Sequence, residues 1–233
     1  MEIRDVVMLS KQDVLLDWII QSAQIVENYY GRFPVPTVKI KLQVSGGNAV
    51  RFGQAFGGKF PSIRIVIGEN VNPAMLRKDW IMVHEIVHLA MAHIPRKHRW
   101  WLEGLSTYVE SIVRAQLGFL SESIVRYGFI NRMPQGLPQA GDQGLDNTPT
   151  WGRTYWGGAV FCVLADIEIR QKNNRLSLKD ALRGVLNDGH SMQADSDPMT
   201  IFKSADQAIG FDVLVPLYQS MRAKPYPVDL DGL

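Results

Sequence analysis

The segment that most constrains this chain is a stretch of apolar residues interrupted by three ionisable ones. Residues 80–90 place apolar side chains on almost every side of a helix, so this helix is expected to be buried. The same segment carries His84, Glu85 and His88. Burial of these side chains is unfavourable unless each finds a partner. The fold must therefore supply a common partner, or several separate ones, in its interior.

The spacing of the two histidines suggests what that partner is. His84 and His88 are four residues apart, so on a helix their imidazoles share a face at a separation of about 6 Å and can bind one Zn²⁺ ion. Glu85 lies about 100° around the helix, where its carboxylate reaches a water beside the metal more easily than the metal itself. A pair of core histidines with separate hydrogen-bond partners is the alternative. We predict a zinc site with Glu85 as general base.

A zinc hydrolase needs a third protein ligand and one open position. Glu103 is our prediction for that ligand, because the short turn after Pro95 lets the next helix fold back on the first. His93 and His98 are the competing candidates. His93 lies five residues beyond His88 and hence on another face, and His98 lies in a basic turn.

The helix that carries Glu103 gives three further expectations. Gly104 is expected to leave room beside the metal. Thr107 and Glu110 follow Glu103 at four and seven residues, where either could orient a ligating histidine. An ordinary position on the helix surface is an equal alternative for both.

Two periodicities divide the chain. Residues 13–30 have helical spacing, and Gly31 is predicted to end that helix. Alternating apolar residues predict strands at 38–44, 49–56 and 62–67, in a small antiparallel sheet. Ser177 and Asp180 resemble a capping box for the helix that begins at 178. From Pro73 onward the pattern is helical, with predicted helices at 73–94, 101–118, 121–131, 153–172, 178 onward, 198–210 and 212–222. The segment 132–152 is a long Pro/Gly-rich loop of the kind that often forms a lid. We expect an α+β fold of one catalytic domain in two lobes, 1–72 and 73–233.

Composition excludes several classes of protein. The formal net charge is only +2, which argues against nucleic acid or an anionic membrane as partner. Cys162 is the one cysteine, so no internal disulfide forms, and no apolar run reaches the roughly 20 residues of a membrane span. Residues 1–5 do not resemble a signal peptide. A cytoplasmic location is expected if Met1 is the native start, and export if a signal was removed.

Three motifs in order resemble a known family. The segments are His84-Glu85-Ile86-Val87-His88, then Trp101-Leu102-Glu103-Gly104-Leu105-Ser106-Thr107-Tyr108, then Tyr155-Trp156-Gly157-Gly158. Together they resemble the gluzincin zinc metallopeptidases, in particular the aminopeptidase-N-like and glycyl-aminopeptidase-like families, over residues 50–187. The resemblance implies a thermolysin-like zincin domain with Zn²⁺ on His84, His88 and Glu103. It also implies that Tyr155 donates a hydrogen bond to the tetrahedral intermediate; a packing aromatic is the alternative.

Departures from the family narrow the expected activity. Gly157 stands where the family has lysine, and the Gly-Ala-Met-Glu-Asn element that anchors a substrate amine is absent. Residues 51–58, where the resemblance implies an edge strand that pairs with the substrate backbone, contain no acid. We therefore expect a metallopeptidase acting on peptides or proteins, an endopeptidase or one of narrow specificity.

Alternatives to that function remain open. A zinc hydrolase of non-peptide substrates would use the same water and base. The second alternative is a binding module in which zinc only stabilises the fold, although structural zinc sites usually have four protein ligands. His190 lies in a glycine-flanked loop, where a solvated histidine is expected and a contribution to the oxyanion site is the alternative.

Overall fold

A helix and a three-stranded sheet come first in the chain, and helices make up most of the remainder. The computed structural model describes residues 11–116 and 118–230. The first part contains α1 (Gln12–Tyr30), β1 (Lys39–Ser45), β2 (Val50–Phe56) and β3 (Ser62–Gly68). The helices that follow are α2 (Pro73–Lys78), α3 (Ile81–His88), α4 (Arg99–Gln116), α5 (Glu122–Arg132), α6 (Gly158–Lys172), α7 (Leu178–Asn187), α8 (Pro198–Ile209) and α9 (Leu214–Met221).

The three strands are those expected, but their pairing is mixed. The order is β1-β3-β2, with β1 parallel to β3 and β2 antiparallel to β3. The prediction of an antiparallel sheet is therefore wrong for one of the two pairings. The connection from β1 to β2 crosses the end of β3, where a Cβ atom on Gly68 would lie 2.3 Å from the Gly47 carbonyl oxygen. Alternation identifies a strand but carries no information about its neighbour, which is why the sequence misled here.

The predicted helix over 73–94 is also wrong in extent, because it is two helices. The Asp79 carboxylate accepts hydrogen bonds from the backbone N–H groups of Ile81 and Met82, and so caps a new helix. That helix, α3, ends at His88. The following backbone runs beside the segment at 192–196, with which His93 pairs. The early end turns the chain back toward α4.

Other local signals are confirmed. Gly31 ends α1 in the left-handed conformation, with φ of 80°, and its N–H bonds to the Glu27 carbonyl. Asp180 accepts a hydrogen bond from the backbone N–H of Ser177 and so completes the capping box of α7. The predicted loop 132–152 is irregular over residues 137–150, whereas Met133–Gly136 forms a short 3₁₀ helix. The role of this loop as a lid stays a prediction.

Helix α3 lies between the sheet and the helical part of the chain. All eight of its residues are buried, and it packs on α1, β2, β3 and α4. The division into lobes at residue 72 stays a prediction, and the expectation about residues 1–5 lies outside the described residues. Of the helices described, none is long and apolar enough to span a membrane.

Two glycines allow α4 and α6 to cross with their backbones in contact. A Cβ atom on Gly104 would lie 2.3 Å from Gly158, and one on Gly158 would lie 2.0 Å from the Trp100 carbonyl oxygen. Gly104 therefore faces another helix, and the expectation that it leaves room beside the metal is wrong. The crossing brings the turn that contains Tyr155, just before α6, next to the helix that carries Glu103.

Candidate metal centre

Three buried side chains from two helices converge on one point. His84 and His88 lie on α3 and Glu103 on α4, and one ligand atom from each lies within 4.8 Å of the others. Glu103 Oε2 is 3.2 Å from Nε2 of His84 and 3.5 Å from Nε2 of His88. Two imidazole nitrogens and a carboxylate oxygen form a donor set that Zn²⁺ takes in hydrolases. The donor set and its convergence therefore fit a zinc ion.

The electrostatics of the cluster suit a cation. Burial opposes ionisation of Glu103, but hydrogen bonds from His84 and His88 outweigh it, so the pKa of this carboxyl is well below its usual range. Burial lowers the pKa of His84, which favours a neutral imidazole with a free lone pair. For His88, burial is outweighed by hydrogen bonding to Glu103, and its pKa is raised. The carboxylate thus stays charged and stabilises positive charge beside it.

Glu85 lies beside the cluster and directly against strand β2. Its residue is 7% exposed, and the backbone N–H of Ala55 favours the charged form of its carboxylate. A Cβ atom on Gly53 would lie 2.6 Å from Glu85 Cγ and 2.9 Å from Oε1, so only glycine leaves space there. Burial raises the pKa of Glu85, although His88 opposes this. A carboxylate with a raised pKa is a better proton acceptor, as a general base requires.

The cluster opens into a cavity of about 890 Å³. Its wall is formed by strand β2, helix α3, the turn before α4, and Tyr155. His84, His88 and Glu103 of the cluster line it, and so does Glu85. Within the described residues β2 pairs only with β3, so its other edge borders the cavity. A substrate can therefore reach the cluster and the free strand edge together.

Tyr155 lies beside the cluster, in a wide helical turn over Arg153–Gly157. Its ring stacks on the ring of His84 at a centroid distance of 6.3 Å and on that of Trp151 at 5.6 Å. Burial, and then the Glu103 carboxylate, raise the pKa of its hydroxyl. A protonated phenol in this place can donate a hydrogen bond into the cavity.

The other histidines considered have different partners. His93 Nδ1 lies 2.9 Å from Asp195, His98 Nδ1 lies 2.8 Å from Asp146, and His190 Nδ1 lies 3.2 Å from the Ser196 hydroxyl. None of the three belongs to the metal-ligating group found in the described residues. His190 does not line the cavity either.

Thr107 and Glu110 do not orient a histidine. The Thr107 hydroxyl donates to the Glu103 backbone carbonyl, and Glu110 pairs with Arg114 at 3.1 Å. The Nδ1 atom of His84 is buried and has no hydrogen-bond partner among residues 11–116 and 118–230. The expectation of a histidine-orienting role for either residue is therefore not met.

Arg99 is a site residue that the sequence reasoning missed. Its Nε and Nη2 atoms each lie 3.0 Å from Oε1 of Glu103, which leaves Oε2 facing the histidines. Arg99 thereby fixes which carboxylate oxygen is presented to a metal. The available signal was the spacing of four residues between Arg99 and Glu103 on one predicted helix.

Comparison with known proteins gives a likeness of fold. No family model matches the sequence, and no curated protein matches it. A two-domain M1 zinc metallopeptidase bound to L-tryptophan superposes with a TM-score of 0.52 and 14% identity, over 89% of this chain and 44% of that one. An M1 zinc metallopeptidase from Deinococcus radiodurans superposes with a TM-score of 0.48 and 15% identity, over 89% of this chain and 46% of that one.

The chain spans less than half the length of these two structures. At 14% identity, the first comparison establishes the fold. This chain therefore shares its mixed α+β fold, with a small sheet and mostly helices, with part of an M1 zinc metallopeptidase.

Proposed function

We propose that this chain is a zinc-dependent metallopeptidase of the gluzincin group, with a thermolysin-like catalytic domain. The observation that carries the proposal is the convergence of His84, His88 and Glu103 beside Glu85 in one open cavity. The likeness to an M1 zinc metallopeptidase supports it at the level of fold. A zinc that only stabilises the fold would not need an accessible cavity or a buried general base.

Each residue of the site then has a role. His84, His88 and Glu103 would hold Zn²⁺, which when bound supplies Lewis acidity that lowers the pKa of water to about 7. Glu85 accepts the proton of the attacking water and passes it to the leaving amine. The Ala55 N–H stabilises the charged form of the Glu85 carboxylate. Arg99 positions Glu103.

Two further elements act on the substrate. The Tyr155 hydroxyl donates a hydrogen bond to the carbonyl oxygen as negative charge develops there. The free edge of β2 pairs with the peptide backbone, in the manner of an added strand. Apart from Glu85 and Glu103, no acidic residue of the described chain lines the cavity to hold a substrate amine. We therefore propose endopeptidase action or narrow specificity.

Cleavage of a peptide library tests this function. Half of the peptides carry a free amino terminus and half an acetylated one, and the zinc-loaded wild type is compared with Glu85→Gln. Glu27→Gln, at an exposed position on α1, is the control. We expect cleavage of blocked peptides, a loss of at least about 100-fold in Glu85→Gln, and no change in the control. Zinc content should not fall in Glu85→Gln.

The other outcomes contradict specific parts of the proposal. Cleavage of free peptides alone would contradict endopeptidase action. Absence of any cleavage while zinc is bound would contradict the peptidase function; a hydroxamate that still binds would then indicate a non-peptide hydrolase. Full turnover in Glu85→Gln would remove the assigned base.

Substitution of Tyr155 by Phe tests its role separately. Loss of one hydrogen-bond donor to a developing oxyanion typically lowers the rate by about 100- to 1,000-fold. We expect a loss of that size in kcat, with zinc content and the free energy of unfolding unchanged. A kcat equal to that of the wild type would leave Tyr155 as a packing aromatic.

A further inference from the structure

Cations outnumber acids along the wall of the cavity beside the metal site. Three arginines face it, at positions 51, 96 and 99. The acids lining it within the described residues are Glu85 and Glu103, and both belong to the metal site. With a divalent metal bound, the positive groups exceed the negative ones. The cavity is therefore suited to a substrate that carries negative charge.

Arg96 has its guanidinium free for a ligand. It begins a tight turn, Arg96–His98, just before α4, and its side chain is exposed. Within residues 11–116 and 118–230 it has no ion-pair or hydrogen-bond partner for its side chain. It lines both the metal cavity and a neighbouring groove of about 650 Å³. Arg96 can therefore bind an anion without losing a contact inside the protein.

Arg99 adds donors beside the metal site. Its side chain is 54% exposed, and only Nε and Nη2 contact Glu103. A guanidinium has five N–H donors, so several remain for a ligand. Lys97 adds a further positive charge in the neighbouring groove. The cations thus extend from the cluster to the outer rim of the cavity.

The one acid that lines the groove does not neutralise these cations. The Asp146 side chain is only 4% exposed and already has three partners: Nδ1 of His98 and Nε1 of Trp100, both at 2.8 Å, and Nε of Arg222 at 3.5 Å. Its charge is compensated within the protein. The positive charges of Arg96 and Lys97 are therefore not compensated by Asp146, and Arg99 adds the donors that its contact with Glu103 leaves free.

We propose that the substrate is a peptide with a carboxylate close to the scissile bond, and that Arg96 binds this carboxylate with help from Arg99. This rests on the proposed peptidase function. A guanidinium matches a carboxylate with two parallel hydrogen bonds, which favours charge and geometry together. The carboxylate belongs either to an Asp or Glu side chain or to the carboxyl terminus of the peptide. An aminopeptidase would instead need a negatively charged group in this place, to bind the protonated amino terminus of its substrate.

Matched peptides measure the preference. In one arm, acetylated peptides carry Glu or Gln at each position near the cleavage site and end in an amide. In the other arm, peptides without acidic side chains end in a free carboxylate or an amide. We expect kcat/KM to be at least about 10-fold higher for the acid than for its amide partner in one arm, and that arm identifies the source. The ratio should fall as ionic strength rises.

Variants of Arg96 assign the preference to its side chain. Arg96→Ala should lower the acid-to-amide ratio by about 10-fold, Arg96→Glu should abolish or reverse it, and Arg96→Lys should retain part of it. Arg175→Ala, at an exposed position far along the chain, removes the same charge and should leave the ratio unchanged.

Two results would overturn the inference while leaving the peptidase function intact. One is equal cleavage of acid and amide peptides by the wild type, with turnover still dependent on Glu85. The other is an acid preference that survives Arg96→Glu unchanged. Cleavage that does not depend on Glu85, or no cleavage at all, would instead contradict the peptidase function and the carboxylate preference with it.

Discussion

Gly53 is the position where one added methyl group should displace the proposed base. A Cβ atom there would lie 2.5 Å from Ile81 Cγ2, 2.6 Å from Glu85 Cγ and 2.9 Å from Glu85 Oε1. Carbon atoms in contact normally stay about 3.5–4.0 Å apart, so Glu85 or the strand must move by about 1 Å. Ile81 and Glu85 are both buried, which leaves little space for the movement.

The consequences of Gly53→Ala follow from that movement. Overpacking of a buried contact typically lowers the free energy of unfolding by about 1–3 kcal/mol. A displacement of about 1 Å in a catalytic group can lower the rate by about 100-fold. We expect kcat/KM to fall by about 10- to 100-fold. Zinc content should be unchanged, because the atoms nearest to the added Cβ belong to Ile81 and Glu85 and not to a metal ligand.

The assay compares Gly53→Ala with a glycine substitution in the turn before β2. Gly46→Ala is the matched control, because nothing lies within 4 Å of its added Cβ atom. Peptide cleavage, zinc content and urea unfolding are measured for both variants. Gly46→Ala should behave as the wild type. Wild-type kcat/KM in Gly53→Ala would refute the close contact between β2 and Glu85 and the role that depends on it.

Two further predictions concern stability. Gly104→Ala places a Cβ atom 2.3 Å from the Gly158 backbone and should lower the free energy of unfolding by about 3 kcal/mol, measured by urea unfolding; Gly128→Ala, with open space around it, should not destabilise. Burial, opposed by Arg114, raises the pKa of Glu110 to about 7 from an ordinary 4.5. The folded state therefore holds this proton more tightly. Binding of this proton therefore stabilises the folded state fully below about pH 4.5, and this stabilisation is lost as the pH rises through 7. Against Glu110→Gln, the wild type should lose up to about 3 kcal/mol between pH 4.5 and 8, and parallel pH profiles would refute this.

Local features of the fold could be predicted from the sequence, and long-range ones could not. The capping signals at Gly31 and Ser177 were predicted correctly because each depends on neighbouring residues. The parallel pairing of β1 with β3 was not predicted, because alternation does not specify a partner strand. The end of the helix at His88 was missed as well, since apolar residues continue beyond it. The break between α2 and α3 was also missed, because the Asp79 cap interrupts the pattern without a proline or glycine.

The same distinction applies to the site. The placement of His84 and His88 on one face follows from helix geometry alone. That Glu103 lies beside them depends on how α4 folds back, which the short turn suggested. Contacts that cross the fold were not predicted: Gly53 against Glu85, and Gly104 against Gly158. Such contacts depend on the packing of elements distant in sequence.

The central claim is that His84, His88 and Glu103 hold one catalytic zinc ion. The most direct test is the zinc content of purified protein after dialysis, measured by mass spectrometry for the wild type, Glu85→Gln, His88→Ala and Glu103→Ala, with circular dichroism to verify folding. We predict one zinc per chain in the wild type and in Glu85→Gln, and loss of zinc in both ligand variants. Full zinc occupancy in folded His88→Ala would contradict the assigned site.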